Sequence, residues 1–537
     1  MARFPSNVYN PISLFGAGIA LVSFGTVVIF FLMDVLGYTQ SPYLGIFTYM
    51  IIPAILIAGL LMIPLGMLWE QRRLRKQQGR KRRYFILDFN QANHRTAAMV
   101  FMVGTMLLVV VSAAGTYQAY NYSESVEFCG EVCHTVMMPE YVAYQNSPHA
   151  RVPCAECHIG EGADWFVKAK VSGMYQVYSV MLEKYHRPIK TPIENLRPAR
   201  ETCEECHWPS KFSSDKKIEK VYFPLDTTDS QPWKIVMDLK IGGGHSELGP
   251  TEGIHWHMNE ANVVRYIATD RRRQEIPWIE TALPDGSTRI YRAIGSTGDD
   301  TELKGLEVRR MDCIDCHNRP SHIYYPPFRT LNDAIAQGQI SQELPNIRAI
   351  ASHALTRTYA SEDQALRTIP SIIRDEYSTH APDVLLDKSE KLEDGIAAVL
   401  RIYSRNFFPS MEADWRAYPN NIGHMYDEGC FRCHDNRHVS DDGHVLTNDC
   451  ALCHTIITQG PQTSPESDIA GLAFRHPADI DEAWRSVPCS DFNLGDCPRG
   501  SDRKPYPRIE SLISEIKKLS PVLGFFHCFL PFCSGNS

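Results

Sequence analysis

The sequence predicts a mainly α membrane protein in which three transmembrane helices carry a domain with little regular secondary structure and a small β insert. Three observations predict it. Apolar runs at residues 11–36, 44–69 and 97–117 each reach the roughly 20 residues that a helix needs to cross the hydrocarbon core. Beyond them, twelve of the 16 cysteines fall into six short motifs, each ending in Cys-His. Between the third and fourth motifs the pattern changes to short alternating segments broken by turn residues. A length of 537 residues leaves room for several domains. The expected ranges are a membrane anchor at 1–118, the first three motifs at 119–215, the β insert at 216–312, the last three motifs with a helical spacer at 313–480, and an atypical tail at 481–537.

The anchor comes first. Its opening run resembles a signal peptide, but the apolar stretch is too long and no Ala-x-Ala site follows, so it is expected to stay as an uncleaved span. The connection at 37–43 carries no Lys or Arg, whereas 71–83 holds eight and no acid. Basic loops stay on the cytoplasmic side, so the N-terminus is expected there too, and three crossings deliver everything after Tyr117 to the opposite face. In a Gram-negative cell that places the chain in the inner membrane with its large domain in the periplasm. Net charge is −8 even with that basic loop included, so the rest is more acidic still, which argues against nucleic acid as a partner.

The six motifs carry the chemistry. Two thiols about one helical turn apart, followed by an imidazole, are what covalent attachment of a c-type haem requires: the thiols add to the vinyl groups and the His reaches the iron. The standard Cys-x-x-Cys-His form occurs at Cys154, Cys157 and His158; at Cys203, Cys206 and His207; at Cys313, Cys316 and His317; at Cys430, Cys433 and His434; and at Cys450, Cys453 and His454. The first motif, Cys129, Cys133 and His134, encloses three residues instead of two. Zinc sites and thioredoxin-like redox sites also use paired cysteines, but neither demands a His directly after the second Cys every time. The large domain is therefore expected to be a multihaem c-type cytochrome domain with six covalently attached haem c groups.

From about Tyr117 to Pro209 the sequence resembles the NapC/NirT family of membrane-anchored, quinol-oxidising cytochromes, through CHTVMMPEYVAYQNSPH, PCAECHIG, WFVKAK and CEECHWP. The wider pattern, with three spans and the motifs CHNRPSH and NIGHMYDEGCFRCH, is similar to the inner-membrane multihaem cytochromes of metal-reducing bacteria, to about His476. The resemblance implies a quinol site at the first haem, with menaquinol or a similar quinol as donor, soluble periplasmic c-type cytochromes as acceptors, and extracellular metal oxides further on. No His lies within any span, so a membrane b-type haem lacks axial ligands and the quinol is expected to be oxidised on the outer face. In the family a Met shortly after the first motif can replace its His on the iron. Here Thr135 and Val136 intervene before Met137 and Met138, which leaves the ligand open among His134, Met137 and Met138. The family also places a Lys and an acid near the quinol. Lys168 and Lys170 match the lysine region, with Asp164 or Glu161 upstream standing in for the acid.

Bis-His ligation, which favours lower potentials than His/Met, would draw up to six ligands from the fourteen His outside the motifs. Proximity in sequence and likeness to the family select His149, His186, His257, His322, His424 and His438. His245, His255, His353, His380, His444 and His476 stand in reserve, and His94 is set aside because it adjoins the basic loop.

In the insert, VVRYIATD, IPWIETAL and STRIYRAIG flank a Pro-Asp-Gly-Ser turn and read as antiparallel strands, with the arginine run at 271–273 as a solvated hairpin face. Residues 326–415 have helical periodicity and no catalytic constellation. Near the end, SVPCSDFNLG around Cys489 parallels RVPCAECHIG around Cys154 up to the missing second Cys and His, as a lost seventh motif would. Cys489, Cys497, Cys528 and Cys533 have no motif, and disulfides are one use for them. The expected function is quinol dehydrogenase. The rivals are a passive electron-transfer subunit and a periplasmic reductase of a small nitrogen oxyanion; the reductase needs an open axial position, often marked by Cys-x-x-Cys-Lys, and no such motif occurs.

Overall fold

The computed structural model describes residues 9–35, 51–78 and 89–476, except 91, 133, 161, 194–196, 213–214, 226–230, 243–252, 260–261, 284 and 296–302. Residues 79–83 of the basic loop, Cys133, Glu161, His245 and the tail with its four motif-free cysteines lie outside these residues. The described chain falls into two compact units, Met1–Tyr141 with Arg151–Glu183, and Val142–Ala150 with Lys184–Ser537.

The first unit opens with three long helices, α1 Pro11–Val35, α2 Ile52–Gln78 and α3 Ala92–Ser123. Each contains a stretch long and apolar enough to cross a membrane: Pro11–Phe30, Ile52–Glu70 and Met102–Ser123. In hydrocarbon, apolar side chains gain little by packing on each other, so helices associate where small residues let backbones approach. Here α1 meets α2 through Gly16 and Gly59, where an added Cβ would sit 2.7 Å from the Gly59 carbonyl and 2.9 Å from the Ala20 nitrogen respectively. Asn10 donates to Ser13 Oγ at 2.8 Å, and Ser13 donates to the Ile63 carbonyl at 2.8 Å, closing the polar end of that contact. After α3 come α4 His134–Gln145, α5 Cys154–His158 and α6 Ala163–Met181.

The second unit has a helical core and two antiparallel sheets. A short α7, Ala199–Cys203, enters the third motif, and α8, Cys313–Cys316, is the fourth motif itself. The spacer expected to be helical is α9 Pro327–Ala336, α10 Ile347–Thr356, α11 Glu362–His380, α12 Pro382–Asp387 and α13 Ser389–Asn406. Their apolar faces bury Leu331, Ile340, Leu344, Leu355, Ile369 and Ile373 completely. Ser361 caps α11 by accepting from the Gln364 amide at 3.2 Å. The last helix, α14 Cys450–Cys453, is the sixth motif.

One sheet runs β1 (Lys216–Tyr222), β2 (Trp233–Leu239), β8 (His454–Pro461), β9 (Glu466–Leu472). The other has β3 (Val264–Ile267), β4 (Trp278–Ala282) and β5 (Thr288–Ala293) in the centre, with β6 (Arg309–Arg310) and β7 (His438–Ser440) at the edges. The strands of the expected insert thus pair with strands from the last quarter of the chain. Those pairings position the motifs: β6 leads into the fourth, β7 follows the fifth, and β8 begins on the sixth motif's own His454.

Candidate functional site

The fourth and sixth motifs are started by side-chain caps. Asp312 and Asp315 make a reciprocal capping box around Cys313–Cys316, and Asp449 accepts from the Ala451 amide at 2.9 Å to start Cys450–Cys453. Gly429 has φ +50°, and a Cβ there would collide with the Gly423 carbonyl, so a glycine is required immediately before Cys430. In the first unit the Cys129 and Cys154 thiols share a hydrogen bond, and in the second so do Cys203 and Cys313. The first and second motifs are therefore neighbours, as are the third and fourth.

Facing each of four motif histidines is a second imidazole. His207 faces His149 with ring centroids 6.1 Å apart, His317 faces His255 at 6.4 Å, His434 faces His257 at 6.0 Å, and His454 faces His424 at 6.4 Å. Two metal–nitrogen bonds of about 2 Å each, plus the half-width of each ring, space trans-ligating imidazoles by roughly 6 Å. All four pairs fit an iron between them.

The ring nitrogens agree. His149, His257 and His434 donate Nδ1–H to the carbonyls of Pro320, Ile254 and Thr447 at 3.3, 2.8 and 3.2 Å, which leaves Nε2 as the lone-pair nitrogen for a metal. Burial pushes the pKa of His255, His257, His317, His424, His434 and His454 down, His424 to about 4, so these rings are neutral, the form that binds metal. Nδ1 of His255, His424 and His454 is buried without a hydrogen-bond partner.

Sheet register creates two of these pairings. Leu239 on β2 lies opposite His454 on β8, and the Lys240 amide donates to the Cys453 carbonyl at 2.8 Å. The chain then turns back so that the Ile254 amide reaches the Lys240 carbonyl at 2.8 Å, which sets Ile254–Met258 beside the sheet and aims His255 and His257 at different motifs. The approach is close: a Cβ at Gly253 would lie 2.7 Å from that same carbonyl.

Two expected ligands are not among these four pairs. His438 is 2 % exposed, with Nδ1–H donating to Asp435 Oδ1 at 2.8 Å and Nε2–H to the Ile276 carbonyl at 2.7 Å. Both acceptors are oxygens without protons, so the ring carries two protons and has no lone pair for iron. Burial works against that cation, but the bonds to Asp435 and Ile276 outweigh it and raise the pKa. The ring that faces His317 is that of His255, and the His322 carbonyl accepts from Arg319 Nε at 2.6 Å. The clue to His255 was present in Ile-His-Trp-His, two imidazoles on one short turn.

The remaining candidates are placed as follows. His186 is exposed at the mouth of a cleft, and His158 is exposed at the end of α5. Met137 is half-buried and Met138 exposed on α4, while Cys133 and the His134 side chain lie outside the described residues. Gly130 lets the Tyr141 ring pack against the first motif, since any Cβ would overlap it.

On α6 the two lysines separate. Lys170 Nζ donates to Ser123 Oγ at 2.9 Å and pairs with Glu124 at 3.8 Å, and Phe166 packs on Tyr120 at 5.8 Å, so α6 is pinned to the end of span α3. Lys168 is exposed with its ammonium 4.5 Å above the Trp165 ring, and Asp164 is exposed in the same first turn. Further along, Val167, Val171, Met174, Tyr178 and Met181 form an exposed apolar stripe.

A buried polar network not foreseen in the sequence ties the fourth motif to the fifth. Asp315, 2 % exposed, accepts from Tyr266 at 2.7 Å, Arg273 at 3.0 Å, Arg309 at 3.0 Å and the Asp312 amide at 2.8 Å. From the fifth motif, Arg432 donates to the Asp315 and Arg273 carbonyls at 2.8 and 2.7 Å. The signal was a charged residue inside each motif, Asp315 in Cys-Ile-Asp-Cys-His and Arg432 in Cys-Phe-Arg-Cys-His.

Residues 91–197 match the family model for the N-terminal region of the NapC/NirT cytochrome c family. The cytochrome c-type protein ImcH of Geobacter sulfurreducens is 41% identical over 490 residues, covering 91% of this chain and 95% of that protein. No solved structure matches the chain.

Proposed function

The chain belongs to the NapC/NirT cytochrome c family, a membrane-anchored group that carries covalent haem c and transfers electrons, and from that premise we propose that it is a quinol dehydrogenase. It takes electrons from menaquinol beside the first motif and delivers them to soluble c-type cytochromes of the periplasm. The observation that carries this reading is α6: a helix pinned by Lys170 to the end of a membrane span, with an apolar stripe exposed along it. Such a helix lies in the plane of the bilayer surface, where a lipid-soluble quinol arrives. Lys168 orients the quinol oxygen, Asp164 accepts its proton, and Lys170 fixes the helix that holds both.

Six haem c groups, when bound, supply the one-electron chemistry. The cysteines at 129 and 133, 154 and 157, 203 and 206, 313 and 316, 430 and 433, and 450 and 453 hold them. His149, His255, His257 and His424 would join His207, His317, His434 and His454 in holding four of these groups, and groups held by two histidines each would favour electron transfer over reduction of a nitrogen oxyanion. The basic loop at 71–83, against an uncharged one at 37–43, supports a periplasmic haem domain.

The test is anaerobic mixing of the detergent-solubilised protein with a menaquinol analogue while haem absorbance is followed. Rapid reduction, abolished by a quinone-site inhibitor and slowed in Lys168→Ala with all haems retained, is the expected result. Reduction by dithionite but not by quinol would overturn the reading and leave a relay that needs a separate quinol-oxidising partner.

A further inference from the structure

The second unit contains an open cleft of about 760 Å³ that takes no part in the paired imidazoles. Its rim carries six exposed cations, Arg187, Lys190, Arg271, Arg272, Arg357 and Arg416. Only two carboxylates line it, Glu412 and Asp414, and Asp414 is already engaged by Arg416 at 2.5 and 3.0 Å. The rim is therefore strongly positive in a chain whose net charge is −8. Behind the charges the wall is closed and apolar, with Tyr359, Tyr403, Phe407 and Tyr418 all buried. A cleft lined by one sign of charge over a low-dielectric wall focuses the field outward.

The cleft backs directly onto the fourth motif. Arg271 and Arg272 sit on the turn whose next residue, Arg273, reaches Asp315 within that motif at 3.0 Å. On the opposite wall Tyr418 stacks under the Arg319 guanidinium at 4.1 Å, and the neighbouring Pro419 carbonyl accepts from Asn318 at 2.8 Å, the residue after His317. The cations are spread over four separate segments, at 187–190, 271–272, 357 and 416, which suits an extended carboxylate-bearing face better than one small anion.

We propose that this cleft docks an acidic soluble protein. Identifying that protein as the electron-accepting cytochrome rests on the function proposed above, whereas the charge preference does not. Docked there, a partner lies against the backbone that carries the fourth motif. The 271–273 run, expected to be a solvated hairpin face, then has two uses: Arg273 on Asp315, and Arg271 and Arg272, exposed while donating to the Pro192 and Ala417 carbonyls at 3.4 Å each, on the partner.

The experiment is calorimetric titration of the haem-loaded, detergent-solubilised chain with two soluble c-type cytochromes, one carboxylate-rich and one lysine-rich, at low and high salt. The carboxylate-rich one binds the wild type, and its affinity falls as salt screens the contact. Paired reversal, Arg271→Glu with Arg272→Glu, weakens it by about tenfold or more at low salt, and the neutral pair Arg271→Gln with Arg272→Gln falls between. The neutral pair keeps the test valid if the reversal disturbs folding, which the haem spectrum reports. Equal affinity in wild type and variants overturns the proposal, as does a preference for the lysine-rich cytochrome. Displacement by inorganic phosphate at an ionic strength where chloride has no effect would make the cleft a small-anion site and also overturn it. Haem reduction by the quinol analogue stays at the wild-type rate in both variants; its failure in the wild type would strike the quinol reading and leave the docking result standing.

Discussion

The two units hold their motifs in opposite ways. In the second, four motif histidines each face an imidazole, and the fourth and fifth motifs are locked together through Asp315 and Arg432. In the first, His158 is exposed, α6 presents bare apolar surface, and the lysine nearest to solvent rests only on a tryptophan ring. Under the function proposed above, the difference separates two tasks. A relay needs fixed distances and saturated irons, which buried polar networks and paired ligands provide. An entry site for a diffusing, lipid-soluble substrate needs exposed surface and an unengaged side chain.

The largest expected effect breaks the rigid half. Asp315→Ala leaves Arg273 and Arg309 without their shared carboxylate, at a cost of about 3–5 kcal/mol. Thermal unfolding of the loaded protein checks it, and an unchanged midpoint would mean that the network is not what holds these motifs. Next, two buried histidines distinguish ligation from scaffolding. His257→Ala opens one iron and produces a high-spin signal in the haem spectrum, whereas His438→Gln leaves the spectrum unchanged and costs about 1–3 kcal/mol through the lost buried hydrogen bonds. If His438→Gln generates the high-spin signal instead, the pairing of His434 with His257 is wrong.

In the open half, Lys168→Ala slows haem reduction by the quinol analogue with little change in stability. Lys170→Met loosens α6 from α3 by no more than about 1 kcal/mol, since that ion pair is partly solvated. Quinol kinetics and unfolding curves on the same two variants separate the roles. The smallest effect concerns pH. His438 has its pKa raised above 6.5 and Asp435 lowered below 3.8, so their mutual stabilisation is present between those values and is lost as pH rises through the raised value of the folded imidazole. The stability difference between wild type and Asp435→Asn therefore shrinks as the buffer moves from pH 5 to pH 8. A gap that widens over that range would show that His438 is neutral.

Sequence by itself determined whatever is written in contiguous residues. The three spans are legible because crossing a bilayer as a helix requires one unbroken apolar run. The attachment motifs are legible because both thiols and the imidazole must come from one turn of chain, and the helical spacer because its apolar period is local. Tertiary structure decided the partners. His255 and His257 are two residues apart in sequence yet face the histidines of the fourth and fifth motifs, because the β2–β8 register and the turn at Gly253 aim them there. His438, only four residues past His434, is withheld from iron by a carbonyl 162 residues away. Of the rings ranked by proximity in sequence, His149, His257 and His424 face a motif histidine, whereas the ring facing His317 is His255. The imidazole that faces a motif can come from anywhere the fold brings one, and hydrogen bonds between distant segments decide whether a buried imidazole keeps a lone pair or fills both nitrogens with protons.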